Sequence, residues 1–200
     1  MVGEAPRTVP DEVLAYARHI TATLREVLGE DLAGACFVGS LALGGYLAGE
    51  SDIDVVAVSR RAVPDQRKAA VADALAELTV SCPARGLELT LYRREVAAGS
   101  SAGADFEVNV NGGPRMARAV HLSSEAEPGF WYLLDRAIAH RVGLVITGPP
   151  AAELFADVPR ERLLDAMVES IRWHRQHEPA TLYTVLNASR AWRYATPCWR

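Results

Sequence analysis

The chain has 200 residues, 50% of them apolar, and 25 acidic against 21 basic residues give a formal net charge of −4. This is enough apolar content for one full hydrophobic core or two small ones. A basic stripe typical of nucleic-acid binders is missing, so we expect no nucleic-acid partner. The three cysteines form no Cys-x-x-Cys pair and indicate neither a disulfide framework nor a zinc site. Without an apolar leader or a membrane-length apolar run, a cytoplasmic protein with no membrane partner is expected.

The first part of the chain is predicted to alternate between helices and strands. Apolar residues recur at helical spacing over 11–29, behind a Pro10-Asp11 start. The apolar run 33–38 predicts a buried strand that ends in a tight turn, after which a short helical stretch opens. The elements predicted next are a strand at 53–58, a helix at 65–79, and strands at 87–92 and 105–110.

The later part of the chain is predicted to be helical. The turn signal Asn111-Gly112-Gly113-Pro114 is followed by helical patterns at 129–142, 159–177 and 181–195. We therefore expect an α/β (α+β) domain over 1–120 and a small helical domain over 121–200.

Aromatic and histidine side chains on the predicted C-terminal helices have ordinary structural interpretations. Trp131, Trp173 and Trp192 are expected to anchor the core. His174 and His177 lie three residues apart, but no third ligand is spaced to complete a metal site, so a solvated helix face is expected.

An Asp-x-Asp pattern opens the predicted strand 53–58. In an extended strand, Asp52 and Asp54 point to the same side, roughly 7 Å apart, and their charges repel each other. A hard divalent cation such as Mg²⁺ relieves this repulsion and completes its shell with waters and substrate phosphates. The pattern therefore indicates a site for a metal and a nucleoside triphosphate, although a capping or solvated pair of aspartates is the structural alternative.

Residues on both sides of this strand support the same interpretation. Gly39 lets the backbone approach a ligand closely, and the amides of Gly39-Ser40 at a helix start attract anions. Ser51 either adds a donor for phosphate or caps the turn before the strand. Alternation over 87–92 turns Glu88 away from the leucine face, which makes it a third acid on the same side.

The order Gly-Ser, Asp-x-Asp and a later strand acid resembles the DNA polymerase β-like nucleotidyltransferase superfamily. More specifically, the chain is similar to aminoglycoside nucleotidyltransferases of the streptomycin/spectinomycin 3''(9)-adenylyltransferase type. The segments that carry the resemblance are FVGS (37–40), SDIDVVAV (51–58), LELT (87–90), FEVNVNGGPR (106–115), GPPAAELF (148–155) and VLNASRAWRY (185–194). The resemblance implies a polymerase β-like mixed sheet with flanking helices, followed by a small helical C-terminal domain.

The resemblance also implies an activity. Such enzymes transfer AMP from ATP to a hydroxyl of an aminoglycoside or aminocyclitol antibiotic, for example spectinomycin or streptomycin, and so give resistance. Asp52, Asp54 and Glu88 match the acids that bind two Mg²⁺ ions, and Glu88 matches the proposed general base. Ser40 and Ser51 match phosphate-contacting positions.

Residues of the predicted helices match further parts of such a site. Arg190 matches an arginine that reaches back to the nucleotide, although an ordinary surface cation is the alternative. Asp135 is a carboxylate in a helix rich in Leu and Ala. It is predicted to bind a drug ammonium group or a nucleotide-linked metal, unless it forms a helix salt bridge with neighbours of Arg136.

Three departures from the family concern the substrate and the length of the chain. Streptomycin-modifying members place a tryptophan near Asn109 and an acid near Ala180, close to Glu178. The resemblance therefore implies that Asn109 and Glu178 are substrate-binding residues. Spectinomycin, another aminocyclitol and a non-antibiotic hydroxyl compound therefore stay open as substrates. Because the family usually continues beyond the position of Arg200, the helical domain is expected to be shorter than in the family.

Two other functions stay open on the sequence. One is a minimal nucleotidyltransferase that adenylylates a protein, as in toxin–antitoxin systems, although segments 106–115 and 181–195 argue against it. The other is a nucleotide-binding protein without turnover, which the three intact acids argue against. The sequence does not indicate an oligomeric state.

Overall fold

A mixed six-stranded sheet lies at the centre of the protein, in a computed structural model that describes residues 8–78, 80–177 and 182–196. The strands are β1 (Leu32–Phe37), β2 (Ile53–Ser59), β3 (Leu87–Arg93), β4 (Val108–Gly113), β5 (Met116–His121) and β6 (Leu144–Thr147). Their order across the sheet is β5-β4-β3-β2-β1-β6. Strands β2 and β3 are parallel, and every other neighbouring pair is antiparallel.

Helices cover both faces of this sheet. They are α1 (Asp11–Leu28), α2 (Gly39–Leu43), α3 (Asp65–Ala76), α4 (Arg94–Ala97), α5 (Gly129–Val142), α6 (Ala151–Leu154), α7 (Arg160–His177) and α8 (Leu182–Ala195). Helix α1 begins after Pro10, with Asp11 and Glu12 in its first turn, where negative charge stabilises a helix. None of the described helices is both long and apolar enough to cross a membrane.

Alternation along the central strands separates two apolar layers. In β2, Ile53 and Val55 pack in the cluster that contains the buried residues of α1 and α3. Val56 and Val58 pack on the opposite side, in the cluster that contains residues of α5 and α6. Since both faces are covered, β2 is apolar along most of its length, and a carboxylate on it stands out as a functional candidate.

The fold class expected from the sequence, a mixed sheet with flanking helices, is confirmed. Predicted strand 105–110 begins later, at Val108, and the turn expected at 111–114 lies at Pro114-Arg115, because the glycines before it still pair in the sheet. Strands β5 and β6 were not predicted from the sequence. Both are short and only partly buried, so their strand character comes from pairing with β4 and β1.

Strand β6 bears on how the chain is divided into domains. It lies beyond residue 120 in the sequence, yet it pairs with β1 in the sheet. Helix α5 also contributes Tyr132 and Ala139 to an apolar cluster of the sheet. The boundary near residue 120 remains a prediction, and both parts of the chain contribute to one sheet.

The C-terminal helices differ from the sequence expectation at two side chains. Trp131 and Trp173 pack edge to face, with ring centroids 4.6 Å apart. Trp192 was expected in the core but is 72% exposed. His174 was expected on a solvated face but is buried, with its Nε2 3.0 Å from Asn187 Nδ2, because α8 covers this side of α7.

Candidate active site

Neighbouring parallel strands bring the predicted acids together. In the register of β2 and β3, Asp54 lies directly opposite Glu88. Asp52 lies two residues before Asp54, just ahead of β2. Their negative charges act on one another, as the perturbed pKa values of Asp54 and Glu88 show. The two strand acids are neighbours on one sheet face, as the alternation predicts.

The pKa values of the two strand acids are raised in the folded protein. Burial raises the pKa of Asp54 to about 6, and the charge of Asp52 adds to the rise. Part of the Glu88 side chain is exposed. The protein atoms around its carboxyl group nevertheless exclude water from it, and this burial, with repulsion from Asp54 and Asp52, raises its pKa to about 7. The site therefore carries excess negative charge that a bound cation would relieve.

The Gly39-Ser40 turn lies against Asp54. Gly39 adopts a φ of +52°, and a Cβ at this position would lie only 1.9 Å from Asp54 Oδ2. The Val38 N–H donates to the Asp54 carbonyl (3.0 Å), and the Ser40 backbone N–H donates to the Asp54 carboxylate. Ser40 Oγ is buried and has no hydrogen-bond partner among the described residues. A buried hydroxyl without a partner beside a carboxylate fits a polar ligand.

Arg85 is a functional candidate that the sequence analysis missed. Its Nε and Nη2 donate to the two carboxylate oxygens of Asp52, at 2.7 and 2.9 Å. The available signal was its position immediately before Gly86 and β3, since parallel strands start at the same sheet edge. A cation at the start of β3 therefore meets the acid at the start of β2.

Ser51 and Arg190, the other two predicted nucleotide contacts, have different surroundings. The Ser51 hydroxyl accepts a hydrogen bond from the Leu47 N–H (3.0 Å), the turn-capping alternative, and its own hydrogen can still be donated. Arg190 is exposed on α8, and its charge opposes the burial-driven rise of the Asp54 pKa. Arg190 therefore contributes positive charge at Asp54, whereas the Ser51 hydroxyl holds its own turn.

Helix α5 adds a fourth carboxyl group to the surroundings of the acids. Burial raises the pKa of Asp135 well above its ordinary value, with added repulsion from Asp54 and Glu88, while Arg136 opposes the rise. Asp135 therefore lies on the side of α5 that faces the two strand acids. A cationic group bound between α5 and the sheet would relieve this repulsion.

Asn109 has a structural role in the sheet. It is buried, its Nδ2 donates to Thr90 Oγ1 (3.0 Å), and its Oδ1 accepts from Asn111 Nδ2 (3.2 Å). Asn111, which no sequence motif singles out as a site residue, pairs with Glu88 across β3 and β4 and has a buried Oδ1 without a partner among the described residues. Glu178 and Ala180 lie outside the described residues.

The donor set of the site suits magnesium in its chemistry. The candidate ligands are carboxylate oxygens, which hard divalent cations prefer. In the described part of the chain, no group of three or more His, Cys, Asp or Glu side chains is already arranged to hold a metal ion. Asp52 is instead engaged by Arg85.

Two family models match the chain, in the order that the sequence analysis expected. Residues 18–88, which include all three acids and the Gly39-Ser40 turn, match the nucleotidyltransferase domain. Residues 153–197, which include Arg190, match the C-terminal domain of aminoglycoside adenylyltransferase. The chain belongs to the aminoglycoside nucleotidyltransferases. It is therefore an enzyme of the nucleotidyltransferase class.

A solved structure supports the fold of this aminoglycoside nucleotidyltransferase. The chain is similar to spectinomycin adenyltransferase AAD(9) from Enterococcus faecialis, crystallised with ATP and spectinomycin. The identity is 18%, the match covers 88% of this chain and 74% of that chain, and the TM-score is 0.62. At this identity the likeness concerns the fold. None of the curated proteins matches the sequence.

Proposed function

We propose that this aminoglycoside nucleotidyltransferase transfers AMP from Mg·ATP to a hydroxyl group of an aminoglycoside or aminocyclitol, and so gives resistance. The observation that carries the proposal is the direct pairing of Asp54 with Glu88 beside the Gly39-Ser40 turn. The match of 153–197 to the aminoglycoside adenylyltransferase C-terminal domain supports the substrate class. A spectinomycin-like aminocyclitol is the substrate we favour, because AAD(9) was crystallised with spectinomycin.

The acids would hold the metal ions. Asp52, Asp54 and Glu88 are the proposed ligands of two Mg²⁺ ions, which when bound neutralise charge on the phosphates of ATP. Glu88 is also the proposed base that takes the proton of the acceptor hydroxyl on its carboxylate. Mg²⁺ bound beside it would hold this carboxylate ionised at neutral pH, the state that a general base needs.

The turn and the helices would hold the two substrates. Ser40 offers a hydroxyl without a protein partner to triphosphate oxygens, Gly39 lets the turn lie against Asp54, and Ser51 is a further proposed contact. Arg190 supplies positive charge from α8. Asp135 is the proposed partner of an ammonium group on the acceptor, since a cation there would relieve its repulsion with the strand acids.

The test is transfer of label from ATP to a drug. Purified protein is incubated with α-labelled ATP, Mg²⁺ and a panel of aminoglycosides and aminocyclitols, and pyrophosphate release and labelled drug are measured. We expect pyrophosphate release that depends on the drug, and a loss of at least about a thousandfold in Asp54→Asn. Asp73→Asn, an exposed acid on α3, is the matched control and should keep full activity.

Other outcomes of this assay decide against the proposal. Absence of drug-dependent pyrophosphate release across the panel would refute aminoglycoside modification. Label on a protein in place of a drug would point to protein adenylylation, and ATP binding without turnover would point to a nucleotide-binding protein. We propose a cytoplasmic location, because the reaction needs ATP as co-substrate and Mg²⁺ as cofactor.

A further inference from the structure

Arg85 occupies the carboxylate that the proposed metal site needs. We propose that Arg85 is a counter-cation for Asp52 that a divalent metal ion displaces, so that Arg85 sets how tightly the enzyme binds the metal. This inference rests on the proposed function, since it concerns the same site.

The contact between Arg85 and Asp52 is a bidentate ion pair. Nε and Nη2 of Arg85 each donate to a different oxygen of Asp52, at 2.7 and 2.9 Å. The Asp52 side chain is 18% exposed, whereas that of Arg85 is 46% exposed. A metal ion that binds Asp52 must therefore break at least one charge-assisted hydrogen bond, and solvent can receive the released guanidinium.

Arg85 also acts on the other two acids. The negative charges of Asp52, Glu88 and Asp54 all act on its guanidinium group. The guanidinium therefore neutralises part of the charge that would attract a cation. Its positive charge and the metal ion compete for the same carboxylates.

The backbone of Arg85 is fixed, so only its side chain has to move. The Arg85 N–H donates to the Ser51 carbonyl (3.2 Å), and its carbonyl accepts from the Arg115 N–H (3.0 Å). The next residue, Gly86, is packed so closely that a Cβ on Gly113 would lie 2.4 Å from its Cα. Displacement is thus a change of side-chain conformation on a rigid base.

The test measures binding of Mn²⁺, a paramagnetic substitute for Mg²⁺, without nucleotide. Free Mn²⁺ is followed by electron paramagnetic resonance with wild type, Arg85→Gln and Arg85→Lys. We expect Arg85→Gln to bind Mn²⁺ roughly three- to tenfold more tightly, because the competing ion pair is gone. Arg85→Lys keeps the charge but loses the two-point contact, so its affinity should lie between those of wild type and Arg85→Gln.

The matched control is another two-point ion pair of the same protein. Arg61 donates to both carboxylate oxygens of Asp31 at 2.9 and 3.2 Å, and the Asp31 side chain is 19% exposed. Arg61→Gln should leave Mn²⁺ binding unchanged. Thermal unfolding gives a second readout. Without metal, Arg85→Gln should have a lower melting temperature than wild type, because its acids repel each other without a counter-charge. Saturating Mn²⁺ should restore the melting temperature, because the bound ion neutralises these acids.

Failure of this inference differs from failure of the proposed function. If wild type binds Mn²⁺ and Asp54→Asn does not, but Arg85→Gln binds it no more tightly than wild type, the role of Arg85 is refuted and the metal site stands. If wild type binds no Mn²⁺ even with ATP, the metal-dependent function itself is refuted. Should Arg85→Gln not fold, an Arg85→Lys affinity equal to or below that of wild type refutes the inference.

Discussion

The contact between Gly39 and the Asp54 carboxylate determines which residue the turn can contain. The positive φ of Gly39 already disfavours an L side chain, and the carboxylate fills the space that a Cβ would need. The turn and the acid therefore depend on each other. This gives the glycine a role in the site that its weak sequence signal alone does not reveal.

We expect Gly39→Ala to lower both stability and nucleotide binding. Strain at a positive φ costs about 1 kcal/mol or more, and the new methyl group must also push Asp54 out of place. Denaturant unfolding and ATP titration with Mg²⁺ measure the two effects.

Two nearby glycines provide controls for Gly39→Ala. Gly44 has a φ of +74° but open space around its Cβ position, so Gly44→Ala should lower stability without weakening ATP binding. Gly45 has open space and no positive φ, so Gly45→Ala should change neither. Equal ATP affinity in Gly39→Ala and wild type would contradict the proposed role of the turn.

Some residues of the site could be predicted from the sequence and others could not. Asp52, Asp54 and Glu88 could be predicted together, because strand alternation turns them to one side and the Gly39-Ser40 turn before them makes the Asp-x-Asp pattern more specific. Arg85 lies 33 residues from Asp52 in the chain, and only the parallel register of β2 and β3 brings the two together. Asn111 shares this dependence on register, since it becomes a neighbour of Glu88 only through β4.

At the scale of elements, Tyr194 connects the C-terminal end of α8 to both α5 and α7. Tyr194 accepts a hydrogen bond from Arg141 (3.0 Å), and the guanidinium groups of Arg141 and Arg160 each lie 5.5 Å from its ring centroid. Arg160 also donates to the carbonyls of Tyr194 and Ala195. Because α8 carries Arg190, this contact also sets the position of a proposed nucleotide contact.

Tyr194→Ala should loosen α8 and weaken ATP binding. Loss of the hydrogen bond and of both cation–π contacts removes roughly 1–2 kcal/mol of docking free energy. We therefore expect faster amide hydrogen exchange in α8 and a KM for ATP raised about five- to tenfold, with a smaller change in kcat. Arg193→Ala, an exposed arginine on the same helix, should change neither. Unchanged exchange in α8 of Tyr194→Ala would contradict this docking role.

Elements with strong local patterns were predictable from the sequence, whereas edge strands were not. The predicted helix 129–142 coincides with α5, because its apolar residues recur at helical spacing. Strand β6 has only four residues and is partly exposed, so its sequence differs little from that of a loop. It forms because β1 offers an unpaired edge, which is information from tertiary structure.

At the scale of the whole molecule, the charge of the site is linked to the stability of the fold. Folding raises the pKa of Asp54 from 3.8 to about 6, mainly through burial and then through Asp52. It raises that of Glu88 from 4.5 to about 7, again mainly through burial. The folded chain therefore binds protons more tightly than the unfolded chain. The resulting stability is fully present below the unfolded pKa values and is lost as the pH rises to about 7.

The melting temperature of the metal-free protein should fall as the pH rises through this range. We expect Asp54→Asn to flatten the fall by on the order of 5 °C, because the buried Asp54 no longer binds a proton and no longer repels Glu88. Saturating Mg²⁺ should also reduce the fall in wild type, since a bound cation replaces the proton. Thermal scans at several pH values measure both effects, with Asp73→Asn as control. Parallel curves for wild type and Asp54→Asn would exclude the linkage.

The antiparallel pairing of β6 with β1 limits how this enzyme can be recombined with its relatives. A graft that replaced everything after residue 120 would also exchange the strand that closes one edge of the sheet. A joint placed after Thr147, the last residue of β6, leaves that edge with its native strand and transplants only α6, α7 and α8. A graft from that joint keeps all six strands native, but its α6 must still fit the apolar cluster of the sheet that Ala151 and Leu154 join.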